Sequence, residues 1–332
     1  MVFFDFDISL STFFLMNQIS VTCYLFWTAI SWFGNITLVI VTIKSKSLHK
    51  PCHILIAIEA FNDFFMQSSH FFYVYYAYKE ILVSFSTCFW VNFLFISSYD
   101  FSTMMMFFIA LDRYISVRNS SFYKKMNPRL YIFGVVATCF TYAALLKVFS
   151  YISVTEELTM CLINEGMSGL MANAWFTAGV VLNTGVIVLY VRLTKHFKEI
   201  NIDNNHDYNT INRSLRTLIF VYLFGWFFTL VMGSITLLIS PNHRVFVAIV
   251  SLIGITGNAN LAAPFFVYYF QSTLYKREIR KLYGLKKLTN SVSYQTPAMG
   301  TAPNNRPVQQ SEDITMNLSP PTPGTSGQKT FC

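Results

Sequence analysis

Three groups of residues in this chain have types and spacings that could do chemistry. Asp112, Arg113 and Tyr114 set an acid, a base and a phenol side by side, and an aspartate next to an arginine can hold it until a competing site draws it away. Glu59 and Asp63 stand one helical turn apart, so on a helix they share a face, and where they touch each other and water they titrate as a coupled pair. Asp100 lies among Ser97, Ser98 and Tyr99 in an otherwise apolar stretch, where a carboxyl either serves a function or is protonated and bonded to a neighbour. No metal-ligand cluster, nucleophile triad or phosphate-binding loop appears, so an enzyme reading has nothing to rest on.

The elements that must position these groups belong in a membrane. With 54% hydrophobic and only 12% charged residues, 34 Phe and 19 Tyr among 332 residues, the chain has too few charges to cover a water-soluble surface. The runs 8–43, 130–146, 166–191, 217–243 and 245–275 contain no Asp, Glu, Lys or Arg. Each approaches or exceeds the ~20 residues needed to cross a bilayer. Adding 54–77 and 85–117 gives seven spans in an all-α bundle. The start, 1–10, holds Asp5 and Asp7 but no base, unlike a signal peptide, so the first helix is read as retained over 21–43.

Charge placement sets the orientation. The pI is about 9.1, but the bases cluster in alternate loops: Lys44, Lys46 and Lys50; Arg118, Lys124, Lys125 and Arg129; Arg192, Lys195, Lys198, Arg213 and Arg216; Lys276 to Lys287. The opposite loops carry Asp5, Asp7, Glu80, Glu156, Glu157 and Glu165. This is the positive-inside pattern for an outside N-terminus and an inside C-terminus, and it points to membrane lipid as partner rather than nucleic acid. Cys88 lies 24 residues before Asp112, about 36 Å along a helix, so the two face opposite compartments. Cys161 falls in a loop on the same side as Cys88, whereas Cys23, Cys52 and Cys139 are small apolar fillers in or beside spans.

The Cys88 spacing and the Asp-Arg-Tyr triplet resemble the third helix of rhodopsin-like G-protein-coupled receptors. The turn Lys44-Ser-Lys-Ser-Leu-His-Lys-Pro-Cys-His-Ile-Leu-Ile-Ala57 and the run Phe-Phe-Val-Tyr-Tyr-Phe-Gln-Ser-Thr-Leu-Tyr-Lys after Pro264 are similar to nematode serpentine chemoreceptors of the sx class. The resemblance implies a chemosensory receptor in the plasma membrane, including that of a sensory cilium. Its ligand would be a small molecule or peptide and its partner a heterotrimeric G protein. It also implies a Cys88–Cys161 disulfide, an Arg113 released to the G protein on activation, and supporting roles for Tyr123 and Tyr190 near the inner face. Gly34-Asn35 would tie helices one, two and seven. Asp63 matches a sodium-site aspartate, the one cofactor suggested. Trp226 resembles the toggle tryptophan of the sixth helix, and Pro264 with Tyr268 a degraded Asn-Pro-x-x-Tyr.

The chain departs from that pattern in several places. Phe228 stands where a kinking proline belongs, leaving Gly225 to supply any kink. Ala263 replaces the motif asparagine, Tyr268 comes one residue late, and Asn260 is the substitute link to Asp63. Ser120 replaces a proline. Phe95, seven residues after Cys88, argues against an amine ligand, and the absence of lysine in span seven argues against an opsin. By fold position the ligand pocket falls near Asn92, Phe95, Ser98, Asp100, Trp175 and Trp226. Lys147, near the outer end of 130–152, is expected to reach the headgroups, and Glu59 to point to the inner headgroup region or a loop base.

Residues 274–285 alternate apolar and basic, as an amphipathic inner-leaflet helix would. The Ser/Thr/Pro-rich 288–332 reads as a disordered cytosolic tail, with 1–20 a short outer terminus and 21–287 the receptor bundle. A peptide receptor using Glu156, Glu157 and Glu165, and a channel or transporter using Glu59, Asp63 and Asp100, are the competing readings, although no internal repeat supports transport.

Overall fold

The computed structural model describes residues 7–200, 217, 219–240 and 242–285; the expected tail lies outside them. The first helix, α1 (Leu10–Lys44), starts where the Ser9 hydroxyl accepts from the Thr12 amide at 3.2 Å. It begins ahead of the expected position 21, because Phe13, Phe14 and Asn17 are buried and the Asn17 carboxamide accepts from the Tyr73 hydroxyl at 2.6 Å. Residues 10–20 are thus part of the packed helix.

Six helices among the described residues are long and apolar enough to cross a bilayer. The remaining crossing, second in order, is broken. Helix α2 (Pro51–Met66) opens on a proline whose missing N–H costs nothing at a first turn. A 3₁₀ turn, Gln67–Ser69, interrupts it, and α3 (His70–Lys79) completes it. Span three is α4 (Phe85–Arg118), capped by Ser84, followed by the short inner helix α5 (Ser120–Lys125). Span four is α6 (Pro128–Ser153) and span five α7 (Gly169–Ile200). Span six, Ile219–Ile239, combines a π turn at Leu223–Phe227 with α8 (Phe228–Ile239). Span seven is α9 (His243–Gln271), with Pro264 inside it. The chain is therefore a seven-helix membrane bundle.

Burial separates the roles of these helices. In its most apolar window span seven is 61% buried and span four 22%, so span seven runs through the bundle while span four borders lipid. Phe26, Phe133, Phe140 and Leu238 are exposed to what must be hydrocarbon. Gly34 permits a close approach of spans one and seven, since a Cβ there would lie 2.6 Å from that of Phe265.

Outside, β1 (Val83–Ser84) pairs antiparallel with β2 (Leu158–Thr159), and the Cys88–Cys161 disulfide, with Cα atoms 5.3 Å apart, fixes the second outer loop to span three. Closing a loop of this length is worth about 4 kcal/mol in the chain-entropy view. Inside, α10 (Thr273–Leu282) turns basic residues outward and buries Tyr275 and Ile279. It is tied to span one through Tyr283, whose hydroxyl lies 2.6 Å from that of Thr37.

Candidate functional site

At the inner end of span three, Arg113 is 7% exposed and donates from a terminal nitrogen to the Tyr268 hydroxyl at 2.7 Å. The guanidinium carbon lies 5.7 Å from the centre of that ring. Asp112 is buried and accepts from the Tyr123 hydroxyl of α5 at 2.9 Å. Tyr114 is half-buried against a cluster of Ala110, Val186, Tyr190, Leu193 and Tyr222. The late position of Tyr268 in the degraded motif does not prevent it from reaching Arg113.

Above this lies a cavity bordered by Asn35, Glu59, Asp63, Asn260, Pro264 and Tyr268, with Tyr190 and Trp226 also on its wall. Asp63 accepts from the Ser102 hydroxyl at 3.0 Å, and Asn62 bonds both Ser102 and the Ser98 carbonyl at 2.6 Å, joining spans two and three. Glu59 does not point to the inner headgroups. It is buried beside this cavity, and its Oε2 has no hydrogen-bond partner among the described residues. Asn35 donates to Ser31, which donates to the Leu261 carbonyl, both at 3.0 Å, so its tie runs to span seven through Ser31.

Asn260 does not serve as the expected link to Asp63. With its amide nitrogen facing Val221 O at 3.0 Å, its oxygen accepts from Trp226 Nε1 at 3.0 Å. The reason is the π turn: it opens the span-six ladder next to Gly225, whose bare Cα lets the Asn260 side chain pack against it. The π turn thus stands where the missing proline would have bent the helix.

A second cavity lies on the outer side, and Trp226 lines both. Of the residues expected there, Trp175 and Trp226 line it, while Asn92, Phe95, Ser98 and Asp100 do not. Asn92 lies under the disulfide, donating to Cys161 Sγ at 3.1 Å and to Leu162 O at 3.3 Å. Phe95 packs on Phe65 and Phe72 of span two. The Ser98 hydroxyl bonds its own helix at Leu94 O. Asp100 is turned toward span four. Its carboxylate meets Lys147 at 2.9 Å and accepts from Trp175 Nε1 at 2.7 Å. Lys147, 5% exposed, therefore does not reach the headgroups, because a buried carboxylate lies nearer than water.

The outer cavity instead reaches toward spans one, two and seven, to Tyr24, His70, Tyr73 and Asn258. Sequence reasoning missed these. The available signal was His70, Tyr73 and Ala77, buried at i, i+3 and i+7 on one face of α3. Leu162, Ile163 and Asn164 of the second outer loop form the lid. Glu165 is turned inward, 2% exposed, bonded by Thr159 at 2.8 Å and lying 3.1 Å from His243 Nε2, so this acid is not presented to an incoming peptide. No group of three or more potential metal ligands among His, Cys, Asp and Glu occurs among the described residues.

No curated protein matches the chain. The profile of the serpentine-type seven-transmembrane G-protein-coupled chemoreceptor family Srsx matches residues 28–283, from the first span to the amphipathic helix. The chain belongs to the Srsx family of serpentine chemoreceptors.

Proposed function

We propose that this receptor binds a small extracellular ligand in the outer cavity and, in response, releases Arg113 to engage a heterotrimeric G protein at the inner face of the plasma membrane. The observation that carries the reading is the position of Trp226. It walls both cavities, and the lower one is also bordered by Tyr268, the residue that holds Arg113. A ligand pressing on Trp226 acts on its bond to Asn260, hence on the contact of spans six and seven at the π turn. A shift of span seven carries Tyr268 away from Arg113. The ligand favours the released state only by the difference in its affinity for the two states.

Asp63, Ser102 and Glu59 supply oxygen donors alone, which suits a hard cation such as sodium. Bound there, such an ion would offset the charge of the two carboxylates. The family is a receptor family and not an enzyme family.

The reading is tested in cells expressing wild type or Arg113→Ala at equal surface density, challenged with a panel of odorants and peptides. A second-messenger response lost in the variant supports it. An agonist-driven current that persists in Arg113→Ala and disappears in Asp63→Asn contradicts it and supports ion conduction.

A further inference from the structure

Where the second outer loop meets span seven, a histidine and a buried acid face each other. His243 opens α9 at its outer end with its side chain 40% exposed, and its Nε2 lies 3.1 Å from Oε2 of Glu165, which is 2% exposed. The Thr159 hydroxyl donates to the same Glu165 oxygen at 2.8 Å, so toward His243 Nε2, 3.0 Å away, it can only accept. Nε2 therefore faces two acceptors and carries a hydrogen. A second proton goes to Nδ1, and only then is the contact an ion pair.

A buried carboxylate needs a counter-charge. Among the described residues no Lys or Arg pairs with Glu165, whose other partners are Thr159 and the amide of Asn164. Glu157, on the chain leading into β2, adds a second negative charge facing the ring. Phe85 of α4 and Phe246 of α9 flank the ring with centroids 5.2 and 6.0 Å away, and the phenol of Tyr73 faces Glu165 from α3. Arg244 is exposed, and Asp7 is held by Asn242 at 2.9 Å. An unperturbed histidine loses its second proton near pH 6.5. The pair is thus complete in acid and reduced to a neutral hydrogen bond above neutrality.

Glu165 sits in the 3₁₀ turn Ile163–Gly166, which also supplies Ile163 and Asn164 to the lid of the outer cavity. Four residues earlier the disulfide fixes the loop to span three at Cys161. The His243 contact fixes the turn to span seven, the helix that carries Tyr268.

We infer that the receptor has a proton site on its outer face: protonation of His243 locks the second outer loop onto span seven, so that extracellular acid closes the lid of the outer cavity and a rise in pH frees it. The docked loop prefers the charged ring, so docking and protonation favour each other. The added stability is present below the ordinary histidine value and is lost as pH rises through the value in the docked loop. Its consequence for a ligand, slower exchange and tighter binding in acid, rests on the outer cavity being the ligand site.

The test is hydrogen exchange of the lid in the full-length receptor in lipid nanodiscs, with neither ligand nor G protein present. The amides of Leu162 and Glu165 are bonded within the loop at 2.8 and 3.1 Å, so their exchange reports opening of the lid. Wild type and His243→Gln are compared at the same pH, which cancels the pH dependence of exchange itself. At about pH 5.5 the wild-type lid is expected to exchange about fivefold more slowly than the variant, the gain of a charged over a neutral hydrogen bond, and at about pH 8.5 at the same rate. His243→Lys, charged at both pH values, should protect the lid at both. If His243→Gln does not fold, wild type against Glu165→Gln carries the same expectation.

A ratio of wild type to His243→Gln that is the same at both pH values, or larger at the higher one, overturns the inference. So does protection in His243→Lys that falls with pH as it does in wild type. Such a failure leaves the G-protein reading untouched, whereas a lid that closes in acid on a receptor unable to signal counts against that reading alone.

Discussion

The guanidinium of Arg113 donates to the hydroxyl of Tyr268 at 2.7 Å, joining the inner ends of spans three and seven. A charge-assisted bond of this kind in a buried setting is worth about 1.5–3 kcal/mol, a scale that a ligand's preference between two states can offset. Arg113 is also next to Asp112, which Tyr123 holds from α5. The triplet is thus anchored from two directions, and the Tyr268 anchor belongs to span seven, one of the helices that border both cavities.

The Lys147–Asp100 pair predicts a clear double-mutant result. Lys147→Met alone leaves a buried carboxylate without its partner and should destabilise the purified receptor by about 3–5 kcal/mol. Adding Asp100→Asn removes the charge while keeping an acceptor for Trp175 Nε1, so the double variant should melt close to wild type. A loss in the double variant equal to the sum of the Lys147→Met and Asp100→Asn losses would show that the pair is not coupled.

At Gly225 a Cβ would overlap the Asn260 side chain. Gly225→Ala should therefore cost about 1–3 kcal/mol of stability and separate Asn260 from Trp226. Melting temperature and the change in Trp226 fluorescence on ligand addition check the two effects separately. A melting temperature at or above that of wild type would show that the π turn does not depend on this approach.

Glu278 in α10 gives a pH dependence. Burial disfavours its charge, but hydrogen bonds from Arg277, Lys281 and Ser45 outweigh that and hold its pKa below the usual glutamate value. A lowered folded-state pKa stabilises above the unfolded value and is lost as pH falls through the folded one. Docking of α10 onto span one, followed by a spin-label distance from Lys276→Cys to Ile43→Cys, both exposed in the wild type, should be unchanged from about pH 8 to about pH 5 and loosen below about pH 4. Glu278→Gln should remove the acid-dependent part of that change.

Much of the fold was legible because hydrocarbon imposes length and apolarity on every span, and charge placement sets orientation. The Cys88–Cys161 disulfide stands where spacing and family likeness place it, whereas the contacts of the buried Asp112 and Arg113 run to Tyr123 and Tyr268. The ligand cavity was less legible, since position along span three does not say which face a residue presents. Asn92 and Asp100 are polar and lie at plausible depth, yet one is taken by the disulfide and the other by Lys147. Lys147 was misread because its partner lies 47 residues away in sequence, and no local pattern marks such a pairing. The π turn at Leu223–Phe227 has no composition of its own, beyond the glycine that permits it.

The most direct measurement of the central claim is nucleotide exchange on a purified heterotrimeric G protein by wild type, Arg113→Ala and Tyr268→Phe receptors in lipid nanodiscs. Loss of exchange in Arg113→Ala, together with ligand-independent exchange above wild type in Tyr268→Phe, is the predicted result. Exchange by Arg113→Ala equal to wild type would contradict the account.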